Sequence, residues 1–237
     1  MAKRNPDYFP KHIDQHVPSM VYAADVNGAV AVVDMEEPAA SDYDYFLADQ
    51  SISGSTAAIA ASSITLLNTK APQKFGVNVL VTQDAYTSAD AGVVTVTGRD
   101  YLGQYMTETI TFATATNATT ASGVKAFKWV DSLAFSSSYA TGRTAASLYV
   151  GTGTALGLPY RTLKVQRELS DASGNASPSL TYTSGTTVAA LDADTDSTAV
   201  TADVRGTYIP VSTLNGTGTL VVECIVDRNN LHGVDQA

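Results

Sequence analysis

The sequence predicts an all-β protein: β-sandwich-like domain(s) of mostly antiparallel strands, preceded by an extended N-terminal arm. Three observations predict it. From about Ser63 onward, apolar and β-branched residues alternate with period two, the signature of half-buried strands. Turn-forming clusters such as "DASGN" and "LNGTG" separate these runs. Amphipathic helical patterning is almost absent, and Thr, Ser, Ala, Gly and Val fill the chain, a mixture suited to pleated strands and short turns.

The elements follow in order. Residues 1 to about 20 carry Pro6, Pro10 and Pro18, with Tyr8, Phe9, His12 and His16 between them. Proline fixes φ and removes a donor, so this stretch is neither a regular helix nor an inner strand. It reads as an extended arm. Termini are often without fixed structure, but the aromatics favour an arm that docks on a partner. "GAVAVVDM" (Gly28 to Met35) reads as a short strand. "EEPAASDYDYF" (Glu36 to Phe46) reads as an acidic, aromatic loop, with Asp42, Tyr43, Tyr45 and Phe46 as contact candidates. "GSTAAIAASS" is either one helical turn or a flexible link. A boundary is placed there: residues 1–60 form arm, linker and short strand, and residues 61–237 form the β-rich domain, with a possible split into two sub-domains near 157.

Within that domain, "SITLLN" and "FGVNVLVTQ" are strand-like, with Val77, Val79 and Val81 on one face. "VTGRDYLGQYMTETITF" (Val96 to Phe112) reads as strand, turn, strand. Met106, Ile110 and Phe112 share one face of its second strand, and Thr107, Thr109 and Thr111 the other. Glu108 falls on the apolar face. It is therefore expected at a sheet edge or paired across an interface, while Arg99 and Asp100 are expected to hold the turn or meet a neighbour. "GVKAFKWVDSLAFSSS" alternates as a strand, with Trp129 expected in the core. "AASLYVGTG", "LPYRTLKVQREL", "PSLTYTSG", "STAVTADVRGTYIP" and "GTLVVECIVD" complete the series.

Composition limits the function classes. Charged residues are 16% of the 237, against about 25% in an average soluble chain. Lys and Arg total 14 against 23 Asp and Glu, for a net charge of −9. An acidic chain is poorly suited to phosphate neutralisation, so nucleic acid is not an expected partner. No apolar run reaches the ~18 to 20 residues of a membrane-spanning helix, and no secretory h-region opens the chain, so no membrane partner is expected and synthesis and retention in a cytoplasm are. The single cysteine, Cys224, allows no intrachain disulfide and reads as a small buried hydrophobe.

Reactive constellations are sought and not found. His12 and His16 stand four apart, but prolines flank them and no third ligand is near. "GTGTALG" (Gly151 to Gly157) looks like a phosphate loop, yet Leu158-Pro159-Tyr160 follows where a helix is needed, so it reads as a β-turn region. "LDADTDS" places Asp192, Asp194 and Asp196 alternately, as a calcium loop does, but Ser197 and Asp203 stand where Gly and Glu belong. No catalytic residue, cofactor or metal ligand is therefore assigned, and the chain is not expected to be an enzyme.

The run "VVTVTGRDYLGQYMTETITF", then "GVKAFKWVDSLAFSS" and "LYVGTG", resembles a pattern of tailed-bacteriophage virion structural proteins: strand, Thr-Gly-x-Asp, a glycine turn, Thr-Glu-Thr, then a Lys-x-Phe-Lys strand. "GLPYR", "DVRGTYIP" and "LVVECIVD" look similar to the second half of the same group. The resemblance covers roughly residues 63–227 and is closest to capsid cement, or decoration, proteins. It implies a β-rich fold, many copies on the capsid surface of a virion assembled in a bacterial cytoplasm, and no enzymatic activity. The partners it implies are the major capsid protein and further copies of the chain, as a homotrimer. The arm (Tyr8, Phe9, His12, His16) and the acidic aromatic loop (Asp42, Tyr43, Tyr45, Phe46) are the expected contacts. The alternatives are a neck, tail or head-fibre component and a carbohydrate-binding β-sandwich module.

Overall fold

The computed structural model describes residues 28–52, 58–83, 92–112, 119–137, 146–170, 181–184, 207–210 and 214–227. They form strands β1 (Gly28–Asp34), β2 (Asp42–Ile52), β3 (Ala58–Ile59), β4 (Val77–Gln83), β5 (Gly92–Arg99), β6 (Tyr105–Phe112), β7 (Thr119–Phe127), β8 (Trp129–Ser137), β9 (Ala146–Gly157), β10 (Thr162–Ser170), β11 (Thr181–Ser184), β12 (Thr207–Tyr208) and β13 (Leu220–Asp227). The arm residues Tyr8, Phe9, His12 and His16, and the aspartates at 192–196, lie outside the described residues.

Three sheets result, and every pairing in them is antiparallel. The first runs β1-β13-β10-β11 and the third runs β3-β8-β5-β6. The second runs β12-β9-β4-β7, and β2 shares β9 with β12: Ala146 to Thr152 pair with β2, and Leu156 and Gly157 with β12. The fold is thus all-β and sandwich-like. Among the described residues one apolar core draws on all three sheets: Val165, Val222 and Val226 from the first, Val79, Val81, Phe127 and Val150 from the second, and Val96, Ile110 and Phe135 from the third. Phe112 and Phe135 stack with centroids 6.0 Å apart. Tyr208 on β12 donates its hydroxyl to the buried Glu168 carboxylate on β10, joining the first sheet to the second.

Several expectations from the sequence are corrected. "SDYDYF" is not a loop: Asp42 begins the eleven-residue strand β2. "SITLLN" is not a strand, because a 3-10 turn at Ala61–Ser63 and an irregular segment to Lys70 occupy it. "GTGTALG" is the second half of strand β9, not a turn. Gly151 is needed there because a Cβ would lie 1.9 Å from the Asp42 carbonyl oxygen, where β2 crosses close. β1 and β2, N-terminal to residue 60, pair with β13 and β9 of the β-rich region.

Other expectations hold. Val77, Val79 and Val81 are fully buried, and Met106, Ile110 and Phe112 on β6 are buried too. Residues 96–112 form a hairpin, with Asp100 Oδ1 accepting the amides of Leu102 and Gln104 at 2.8 Å each. Glu108 lies on β6, the edge of its sheet, and meets β7. Cys224 is fully buried and free. Burial pushes its thiol up to about 11. A thiol-disulfide reagent at pH 8 should leave it untouched in the folded protein and react fully in denaturant, because the thiolate is the nucleophile.

Candidate functional site

The site grows out of a corner in the chain. β7 belongs to the second sheet and β8 to the third, and only Lys128 separates them. Strands that switch sheets do so through such bends. Its amide donates to the Arg99 carbonyl at 2.9 Å, and its carbonyl accepts from Ala71 at 2.9 Å. Its ammonium donates to the carbonyls of Ala71 (3.1 Å) and Gln73 (2.5 Å). Burial, then the charge of Lys70, holds its pKa below the usual lysine value.

The corner shifts the alternation by one residue. Phe127 and Val130 both face the core, which turns Trp129 outward, to half-burial. Trp129 was expected in the core, so this is a correction. A one-residue slip moves every later side chain to the other face.

Trp129 then lies opposite Arg99 on β5, and Arg99 lies opposite Tyr105 on β6. An isolated bridge sets Lys70 opposite Trp129 on its other side. One cross-strand rank therefore reads Tyr105, Arg99, Trp129, Lys70. The guanidinium sits 5.6 Å from the Tyr105 ring centroid and 5.8 Å from that of Trp129. Asp131 stands where the β5–β8 register slips, and it grips the guanidinium in two places: Nη2 to Oδ1 at 2.8 Å and Nε to Oδ2 at 3.1 Å. These bonds hold the Arg99 pKa above its ordinary value. Tyr105 is 70% exposed. The result is a preformed aromatic–cation–aromatic ridge, with its most mobile side chain already fixed in a bidentate pair.

The residues expected at a contact surface divide. Asp42 and Tyr43 are exposed, and the Tyr43 ring meets Tyr149 edge-on at 5.4 Å. Tyr45 is half-buried and donates its hydroxyl to the Lys70 carbonyl at 3.0 Å, supporting the loop beside the ridge. Phe46 is fully buried in the core, which corrects its placement at a surface: alternation along β2 turns it inward. Sequence alone singles out Arg99 but not its partners Tyr105, Trp129 and Asp131, which only strand pairing brings to it. The only signal was "KW" inside an alternating run, and that becomes a corner only through the contacts of Lys128.

Among the described residues no three His, Cys, Asp or Glu side chains converge to hold a metal. No helix among them is long and apolar enough to cross a membrane. What the arrangement offers is recognition: two ring surfaces, a fixed planar cation and a carboxylate. Compared with family models, curated proteins and solved structures, the chain matches none.

Proposed function

We propose that the chain is a virion structural protein, a cement protein that stabilises a tailed-phage head by binding major capsid protein subunits on its outer surface, with self-association between its copies. The observation that carries the reading is the Tyr105–Arg99–Trp129 ridge on the exposed face of an antiparallel sheet. Tyr, Trp and Arg dominate interface hot spots, and a side chain fixed before contact loses little entropy on binding. The strands that form the ridge, β5, β6 and β8, are among those whose sequence resembles virion structural proteins. Many such contacts on one lattice would add through multivalency.

The test is retention on heads. Wild-type protein should sediment with heads that lack it and keep them from leaking DNA on heating. Arg99→Ala and Trp129→Ala should weaken retention on the order of 30-fold, the scale of a hot-spot truncation, with the fold kept. Equal retention of the variants, or equal heat resistance with and without the protein, would overturn the reading. About a dozen copies per virion instead of hundreds would move it to the neck, tail or a head fibre.

A second reading gains from the outward turn of Trp129. Two aromatics on one exposed face, beside a planar cation and a carboxylate, are the materials of a carbohydrate-binding platform. Specific glycan binding that is lost in Trp129→Ala would favour it over head binding.

A further inference from the structure

Two shallow grooves meet at Pro72, and their charges are opposite. Asp34, Glu36 and Glu37 line one. Lys70 and Lys128 line the other, with Leu67 at its rim, 62% exposed. In the acidic groove Lys74 answers Glu36 at 2.8 Å, while Glu37 stands exposed with no cation at ion-pair distance among the described residues. In the basic groove, neither Lys70 nor Lys128 has a carboxylate at that distance among the described residues. Burial, then the charge of Lys70, lowers the Lys128 pKa, and the Glu36 charge opposes that fall. The Lys128 ammonium is engaged by the Ala71 and Gln73 carbonyls, which leaves Lys70 as the exposed cation of this groove in a chain of net charge −9.

We propose that this bipolar face pairs with the same face of a second copy about a two-fold axis, the acidic groove of each against the basic groove of the other. A two-fold interface is isologous and must be self-complementary: when one patch meets its opposite, the converse contact follows by symmetry. Adjacent grooves of opposite sign satisfy that condition. Two chains of net negative charge otherwise repel, so the contact is confined to the one orientation that sets Glu37 against the partner's Lys70, twice. Exposed Leu67 supplies apolar area beside the charges. This names the surface used in the self-association proposed above and rests on that part of it. It differs from the three-fold arrangement that the resemblance implies.

The test is a charge exchange on the full chain, read by sedimentation velocity at low and high salt. Wild type should sediment as a dimer at micromolar concentration and low salt, and dissociate as salt rises. Lys70→Glu and Glu37→Lys should each be monomeric, since each sets like charges together twice. Mixed in equal amounts, the two variants should recover the dimer, because both contacts of the mixed pair are then attractive. Thermal melts at high salt, where wild type is dissociated too, should match it and so certify the folds, and recovery on mixing cannot come from misfolded partners. A monomeric or trimeric wild type, an oligomer indifferent to both substitutions, or a mixture that stays monomeric would each overturn the proposal. Retention on heads is measured separately: a monomer that still protects heads overturns the two-fold contact alone, and a dimer that ignores heads overturns the cement reading alone.

Discussion

Asn78→Ala should destabilise the protein by about 2–5 kcal/mol, the combined cost of two buried polar groups left without partners. At this chain length that lowers the melting temperature on the order of 10 °C. The reason lies in two bulges at one level. β7 uses residues 122–126 to span what β4 spans with 78–80, and on the other flank β9 uses 152–156 against β4 residues 77–79. Backbone groups in both bulges lose their ladder partners, and Asn78, 5% exposed between them, replaces those partners. Its Nδ2 donates to the Gly123 carbonyl at 2.9 Å, and its Oδ1 accepts from the Ala155 amide at 2.9 Å. Only an amide offers a donor and an acceptor in that geometry. Asn78→Asp should also fail, because it keeps the acceptor but points a carboxylate at a carbonyl. Thermal and urea melts measure the loss, and amide exchange at Ala155 should accelerate with it. A cost under about 0.5 kcal/mol, the scale of an unremarkable surface change, would sink the account.

Asn78 also marks how far the sequence could be read. Period-two alternation places Val77, Val79 and Val81 in the core correctly, because the pleat dictates which face each side chain takes. The same rule assigns Asn78 to the opposite, more polar face, and does not reveal that this face is buried between two bulged neighbours. Bulges depend on which strands become neighbours, and that is a tertiary fact. The error at "DYDYF" has the same origin. Its acidic residues made it look like a loop, yet β2 is a long strand because β9 accepts its backbone and Gly151 lets it come close. At the ridge the obstacle was a phase. Alternation from Phe127 predicts Trp129 inside, and only the hydrogen bonds of Lys128 to Arg99, Ala71 and Gln73 turn the chain and reverse the face. By contrast, the hairpin turn was legible, because an Asp that accepts amides two and four residues ahead is a local device.

Glu108→Ala should cost about 2–5 kcal/mol, the scale for leaving two buried amides without their acceptor. Glu108 looked misplaced among the apolar residues of β6, and its neighbours explain it. β6 and β7 are edges of two different sheets and form no ladder with each other. The Glu108 carboxylate closes that seam, accepting the amides of Val124 at 2.6 Å and Lys125 at 3.3 Å, within the stretch of β7 that bulges away from β4. Lys125 reciprocates: its ammonium donates to the Thr107 carbonyl on β6. Both side chains are buried, at 7% exposure each. Burial holds the Lys125 pKa below the usual lysine value, and the Glu108 charge opposes that fall. Gly123 is required beside them, since a Cβ there would lie 2.5 Å from Glu108 Oε2. Glu108→Gln keeps shape and one acceptor while losing the charge, so it should cost less than Glu108→Ala, roughly halving the strength of the amide bonds without abolishing them. Lys125→Met tests the other half of the seam. A double-mutant cycle with Glu108→Gln should return a coupling of about 0.5–3 kcal/mol, the range for residues in one network. Additive losses would mean that the two charges act separately, each capping a strand edge alone. A coupled loss would mean that the sheets are joined at this seam by side chains that do the work of a missing ladder.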